Sequence, residues 1–197
     1  MRPNPADDVL HFLTQPVWQT PIYWLLWATS IGIVARVWGH VPTRRGAREP
    51  MAWLLRVLVG TLWWLHSLAI VPPHESRLIA QLHAQAAYTA MAAQAALIHA
   101  LLPNAAALGL VLYAIEAGIA VSLMLGLFTR LASLFGLALA LAAWLGLYAA
   151  PGHQPWNDLL LVIVMTGYVA DPPGRYLGID AVLRRRLRGA RVLRVLS

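Results

Sequence analysis

A single carboxylate, Glu116, sits in the middle of an apolar run that extends from Leu108 to Leu134. An ionisable group inside hydrocarbon is costly, so its presence asks for a chemical or structural reason. Two readings stand side by side. Glu116 is a working group that relays protons or binds a quinone, or it is a buried carboxyl that hydrogen-bonds a neighbouring helix and fixes packing. His66, which follows Trp63–Trp64 and precedes Ser67, is the second such residue. A histidine inside a span can ligate haem iron or a chlorophyll magnesium, or serve a quinone carbonyl. A bis-histidine haem needs a second histidine at matched depth, and none is evident, so the alternative is a hydrogen-bonded residue near the interface. Tyr113, one turn from Glu116, is its nearest same-face polar neighbour on the same helix.

Helix geometry sharpens these candidates. At 1.5 Å of rise per residue, Glu116 lies about 16 Å below the outer end of its span and His66 about 9 Å below that surface. The arithmetic predicts that the two are not level. Arg56 falls roughly 12 Å from the level of Glu116, near the inner end, where it is expected to snorkel. Ala114, Gly118, Ser122 and Gly126 recur every four residues, a small-residue stripe that predicts close approach of another helix. Glu116 points about 140° away from that stripe, which predicts a helix interior to the bundle. Thr129 and Arg130 complete a GLFTR turn whose arginine suits a lipid phosphate or a helix C-terminus. On the other side, His74, Glu75, Arg77, His83, His153, Gln154, Asn157 and Asp158 could converge. Asn157 and Asp158 begin a helix and read better as caps of its free backbone amides. His83 and His99 lie about 160° apart on a helix and form no same-face metal pair. No nucleotide loop, zinc motif or nucleophile motif is present.

The elements that must position these residues are helical. Of 197 residues, 59% are hydrophobic, and several runs of about twenty apolar residues predict a polytopic membrane bundle. A polar, acidic leader precedes a first span, Pro21–Trp38, with aromatics at both ends. A second span, Met51–Val71, ends at Pro72–Pro73. Residues Glu75–Pro103 are rich in alanine and glutamine and predict a helix or helical hairpin on the membrane surface. Three more spans are expected at Ala105–Phe128, Leu131–Ala149 and Trp156–Ala170, followed by an amphipathic, arginine-rich tail.

The net charge of +7 comes from fifteen arginines and no lysine. They flank spans, so topology and anionic membrane lipid explain them better than nucleic acid, which is not an expected partner. Three arginines lie in His40–Pro50, one in the GLFTR turn and seven from Arg175 onward, against Arg2 and Arg77 on the opposite side. This asymmetry predicts a multi-pass protein of the bacterial inner membrane with a periplasmic N-terminus and a cytoplasmic C-terminus. The absence of cysteine excludes disulfides, thiolate metal sites and dithiol redox chemistry.

Four places carry a resemblance to a known family: Arg56 with Gly60 and Trp63–Trp64; Glu116 with Gly118 and the turn Gly126–Arg130; Pro155–Trp156 before an apolar span; and PGRYLGID at Pro173–Asp180. Over Leu54–Leu183 the chain resembles the DoxX/DoxD-like small membrane proteins. The resemblance implies an all-α, four-helix membrane core formed by the second to fifth spans, here with one added N-terminal transmembrane helix. The expected organisation is 1–50 as leader, added helix and connector, 51–183 as the core with an insertion at 75–103, and 184–197 as a basic tail. The best-known members resemble the large subunit of thiosulfate:quinone oxidoreductase. That implies a quinone-linked redox subunit: Glu116 handles protons, Tyr113 and His66 hold the ring, and His74, Arg77 and His153 meet an anionic sulfur substrate. Gly118, Ser122, Gly126, Thr129 and Arg130 are then structural. Quinone is the expected cofactor, with no metal or haem evident. The alternative is a non-catalytic accessory subunit of a larger energy-converting membrane complex, docked through its first helix and tail.

Overall fold

The computed structural model describes residues 19–39, 46–70 and 75–186. The leader, Arg44, Arg45, His74 and the last eleven residues of the basic tail lie outside the described residues. Within them the chain is all helical. The helices are α1 (Gln19–Gly39), α2 (Arg48–Leu68), α3 (Glu75–Tyr88), α4 (Ala92–Leu101), α5 (Ala105–Leu125), α6 (Thr129–Gly146), α7 (Pro155–Ala170), α8 (Gly174–Leu177) and α9 (Ile179–Arg186). Among the described residues, three stretches are long and apolar enough to cross a membrane: Arg48–Leu68, Ala92–Leu125 and Thr129–Gly146. At 16 residues, α7 is apolar but shorter. Large apolar side chains such as Leu55, Leu62, Leu110, Phe135, Leu160 and Ile163 remain exposed, which suits a membrane-associated protein and not one bathed in water.

The hairpin expected at 75–103 is present, but it is not a separate surface element. Pro103 interrupts the backbone ladder in a short 3₁₀ turn, Leu102–Asn104, and α4 then runs on into α5. The combined stretch has 34 residues, about 51 Å of helix, longer than a hydrocarbon core of about 30 Å. Its α4 part folds back with α3 and is pinned by polar contacts. Ala90 N–H donates to Leu145 O at 3.0 Å, and Gln94 Nε2 donates to Ala142 O at 2.7 Å. Ile70, Leu78, Leu82 and Ile98 form a small apolar core beneath the hairpin.

The main core joins α1, α2, α5 and α7 through Tyr23, Val57, Trp63, Leu123, Met124 and Met165, all nearly or fully buried. The most extensive helix contact is α2 with α5, and the next is α6 with α7. α1 lies antiparallel to α2, tied by Trp53 Nε1 donating to Ser30 Oγ at 3.0 Å and by Tyr23 facing Thr61. Hydroxyls inside the bundle return to their own helix, as when Ser133 Oγ donates to Thr129 O at 2.7 Å. At the start of α2, Arg48 pairs with Asp171 at 2.9 Å and lies over the Tyr176 ring. The hydrogen bond from Tyr176 to Asp171 holds that phenol above its ordinary pKa.

The close approach of α2 to α5 depends on Gly60 and not on the stripe Ala114–Gly118–Ser122–Gly126. Gly118 is exposed and a methyl group there would meet no other helix within 4 Å, and Ala114 is exposed too. Only the Gly126 end of the stripe makes a close approach, to Arg56 and Gly178, and Ile119, Ala120, Leu123 and Met124 face the core. A methyl group at Gly60 would lie 2.8 Å from Met124 Cγ and 3.2 Å from Ala120 O. Gly60→Ala is expected to lower stability by about 1–3 kcal/mol through overpacking. Reversible unfolding in mixed micelles, followed by tryptophan fluorescence, checks this; an unchanged midpoint would show that the two helices part freely.

Candidate functional site

Glu116 and His66 meet. His66 Nδ1 lies 3.0 Å from Glu116 Oε2, with the carboxylate side chain 5% exposed and the imidazole 50%. The expectation that they are not level fails, and helix register explains why. Gly60 faces Ala120 and Met124, and in an antiparallel pair the residue numbers of facing positions then sum to about 182, which sets residue 66 against residue 116. Levelling Pro72 with Ala105 gives a sum about five residues too small. That error amounts to about 7 Å, the whole of the predicted mismatch.

The pair opens onto a cavity of about 750 Å³. Its walls come from α2, α5, α6 and α7, and the α3–α4 hairpin covers it. On α5 it is lined by Leu108, Leu112 and Glu116, a four-residue repeat that places the carboxylate at the end of a leucine stripe. Val59, Trp63, Leu139, Leu161 and Val164 add apolar surface. The polar lining is sparse: His66, Glu116, Asn157 and Asp158, with Gln81, Gln85 and Gln94 on the hairpin. A large apolar space with a few convergent polar groups is the ordinary form of a small-molecule site.

With Nδ1 engaged by Glu116, the ring of His66 keeps Nε2 as its other polar atom, on a half-exposed side chain that lines the cavity. The Trp63 ring stands edge-on to it, with centroids 6.3 Å apart. A carboxylate and an imidazole at this distance form a hydrogen bond. The pair is closer to neutral than either group charged alone, which suits an apolar setting.

Other expected site residues fall elsewhere. Tyr113 is half-buried and does not line the cavity, because the lining face of α5 passes through Leu112 and Glu116, about 100° and 60° away from it. Arg77 is exposed on α3 and is also outside the lining. His74 lies outside the described residues. Asp158 does not cap α7, whose first turn has no side-chain cap. Its Oδ2 lies instead 2.8 Å from His153 Nε2, a second histidine–carboxylate pair. Among the described residues no group of three His, Cys, Asp or Glu side chains is placed to hold a metal ion.

Arg56 does not snorkel. It is fully buried on α2, and Nη2 donates to Leu177 O at 3.4 Å, while Nε and Nη1 have no hydrogen-bond partner among the described residues. Asp180 supplies the countercharge. That carboxylate, also fully buried, accepts from Phe128 N–H at 2.8 Å, Thr129 N–H at 3.1 Å and Thr129 Oγ1 at 2.9 Å. Asp180 thus caps the N-terminus of α6 from 51 residues away. Phe128, at a positive φ of 48°, is held in that conformation by the same carboxylate. Thr129 is buried in this latch and Arg130 is half-exposed beside it. The GLFTR turn and the GID segment are two halves of one structure. The latch lies at the Gly126 end of α5 and the cavity against its first half, with Arg56 and His66 ten residues, or about 15 Å, apart on α2.

Sequence reasoning named no glutamine of the hairpin as a site residue, although the i, i+4 spacing of Gln81 and Gln85 puts both on one face of α3. It also missed the tie between Asp180 and Thr129, for which no local signal exists. No family model, curated protein or solved structure matches the chain.

Proposed function

We propose that the chain is an integral membrane protein of DoxX-like type that binds a quinone in the hairpin-covered cavity and exchanges protons at Glu116–His66. The observation that carries this reading is the 3.0 Å pair at the wall of an otherwise leucine-rich cavity of about 750 Å³. The chemistry of the lining fits such a molecule. A planar ring with polar oxygens suits one imidazole N–H donor beside an aromatic edge, and an isoprenoid tail suits the leucines of α5 and α7. When bound, a quinone supplies two-electron, two-proton redox chemistry. His66 Nε2 offers a hydrogen bond to a molecule in the cavity, Glu116 fixes the ring through Nδ1, and the hairpin limits access of water. The arginine asymmetry supports a periplasmic hairpin and an inner-membrane location.

The family resemblance adds thiosulfate as electron donor. That part of the reading has thinner support, since Arg77 lies outside the lining and His153 is taken by Asp158. An anionic substrate would meet two carboxylates here.

Binding of a short-chain ubiquinone analogue to the purified protein in nanodiscs, read by quenching of tryptophan fluorescence, tests the proposal. Saturable binding is expected, weakened about tenfold by His66→Phe, which corresponds to one hydrogen bond lost in an apolar site. Thiosulfate-dependent quinone reduction, with Glu116→Gln as control, tests the redox part. Absence of saturable binding by the intact protein sinks the quinone reading and leaves the accessory-subunit alternative.

A further inference from the structure

A membrane-embedded pair that exchanges protons needs a route to water. Towards Arg56 the way is closed: Val57, Ala120, Leu123 and Met124 are fully buried between the two ends of α2 and α5. The remaining route is the cavity itself. Of its lining residues only His66, Glu116 and Asp158 titrate. Asp158 is bonded to His153 at 2.8 Å, in the loop before α7, and these side chains are 23% and 27% exposed. Asp158 lines the same cavity as His66 and Glu116, so both pairs border one space. Gln81, Gln85 and Asn157 complete the polar lining and offer amides to water. Arg77, His83, Tyr88 and His99 of the hairpin are exposed and outside the lining, and the side chain of Glu75 lies outside the described residues.

We propose that Asp158–His153 is the water-facing gateway of a proton path that runs through the cavity to His66–Glu116. The inference rests on the reading of Glu116 as a proton-exchanging group. A proton from the aqueous side is taken by the His153–Asp158 pair. It is passed along water held by the amide side chains and is received by the His66–Glu116 pair; the reverse sequence releases it. No electron or bond to carbon is involved.

A photolytic proton jump on protein in nanodiscs, followed by time-resolved infrared spectroscopy, tests this. The carboxylic-acid band that Glu116→Gln abolishes reports the inner pair. Asp158→Asn is expected to slow the rise of that band about tenfold or more without changing its final amplitude, as expected for loss of a positioned proton donor. His153→Gln is expected to slow it less, and Asp158→Glu to restore most of the rate. Circular dichroism and native gel mobility confirm that each variant is folded. Wild-type kinetics in Asp158→Asn would overturn the proposal, as would the lack of any Glu116 band. The two readings fail separately. If quinone binding is absent from the wild type while Asp158→Asn still slows the band, the relay stands and the quinone reading falls.

Discussion

Asp180→Ala is expected to destabilise the chain by about 3–5 kcal/mol, the usual effect of leaving one partner of a buried ionic arrangement behind. Three effects act together. The buried Arg56 guanidinium loses its countercharge while its Nε and Nη1 are already without partners. The first amides of α6, on Phe128 and Thr129, lose their acceptor. Thr129 Oγ1 loses the partner that holds it in the latch, although it still accepts from Gly174 N–H at 3.3 Å. Unfolding midpoints in mixed micelles would measure the loss. The double variant Arg56→Met with Asp180→Ala is expected to recover part of it, because no uncompensated charge is then buried. If the single and double variants are equally unstable, charge compensation is not what the carboxylate provides.

Gly126→Ala is expected to cost about 3 kcal/mol for two separable reasons. Gly126 ends α5 at φ +70°, a left-handed conformation that costs an L-residue roughly 1–2 kcal/mol. A methyl group there would also collide with the Arg56 guanidinium and lie 2.6 Å from Gly178 Cα. Such overpacking adds about 1–3 kcal/mol. The two parts can be told apart in an Arg56→Ala background, where most of the collision disappears and the backbone strain remains. The variants should therefore be non-additive, as expected for residues in contact. Strict additivity would mean that the guanidinium does not occupy the space the glycine leaves.

These two predictions concern one end of the bundle, and the candidate site lies at the other. A latch variant that still folds should therefore retain an intact Glu116–His66 pair. Conversely, Glu116→Gln leaves every Asp180 contact untouched, so function and stability can be probed independently.

Some of this was legible from residues alone. Helix α2 was expected from Met51 and begins at Arg48, and α7 was expected from Trp156 and begins at Pro155. Apolar runs and proline breaks report local backbone preference, which does not depend on partners. Glu116 and His66 stood out because each is polar in an apolar run. Their meeting did not, because the relative slide of two helices depends on how side chains interlock. Here Gly60 lets the Ala120–Met124 ridge approach, and that choice of register brings residues 50 apart together. The stripe from Ala114 to Gly126 misled for the same reason: small residues permit close approach but do not say where a neighbour lies.

By itself, then, the sequence determined an all-helical, strongly apolar chain free of cysteine, with a carboxylate and a histidine in its spans and arginines at their ends. Those properties follow from composition and periodicity, which are local. The tertiary structure alone decided that Glu116 pairs with His66 and that the hairpin covers a cavity. It likewise decided that Arg56 is fully buried and that Asp180 caps α6. Each of these depends on non-local register and on a folded-back segment, whose energies come from contacts between residues tens of positions apart. No window of the chain contains both partners, so no local pattern could specify them.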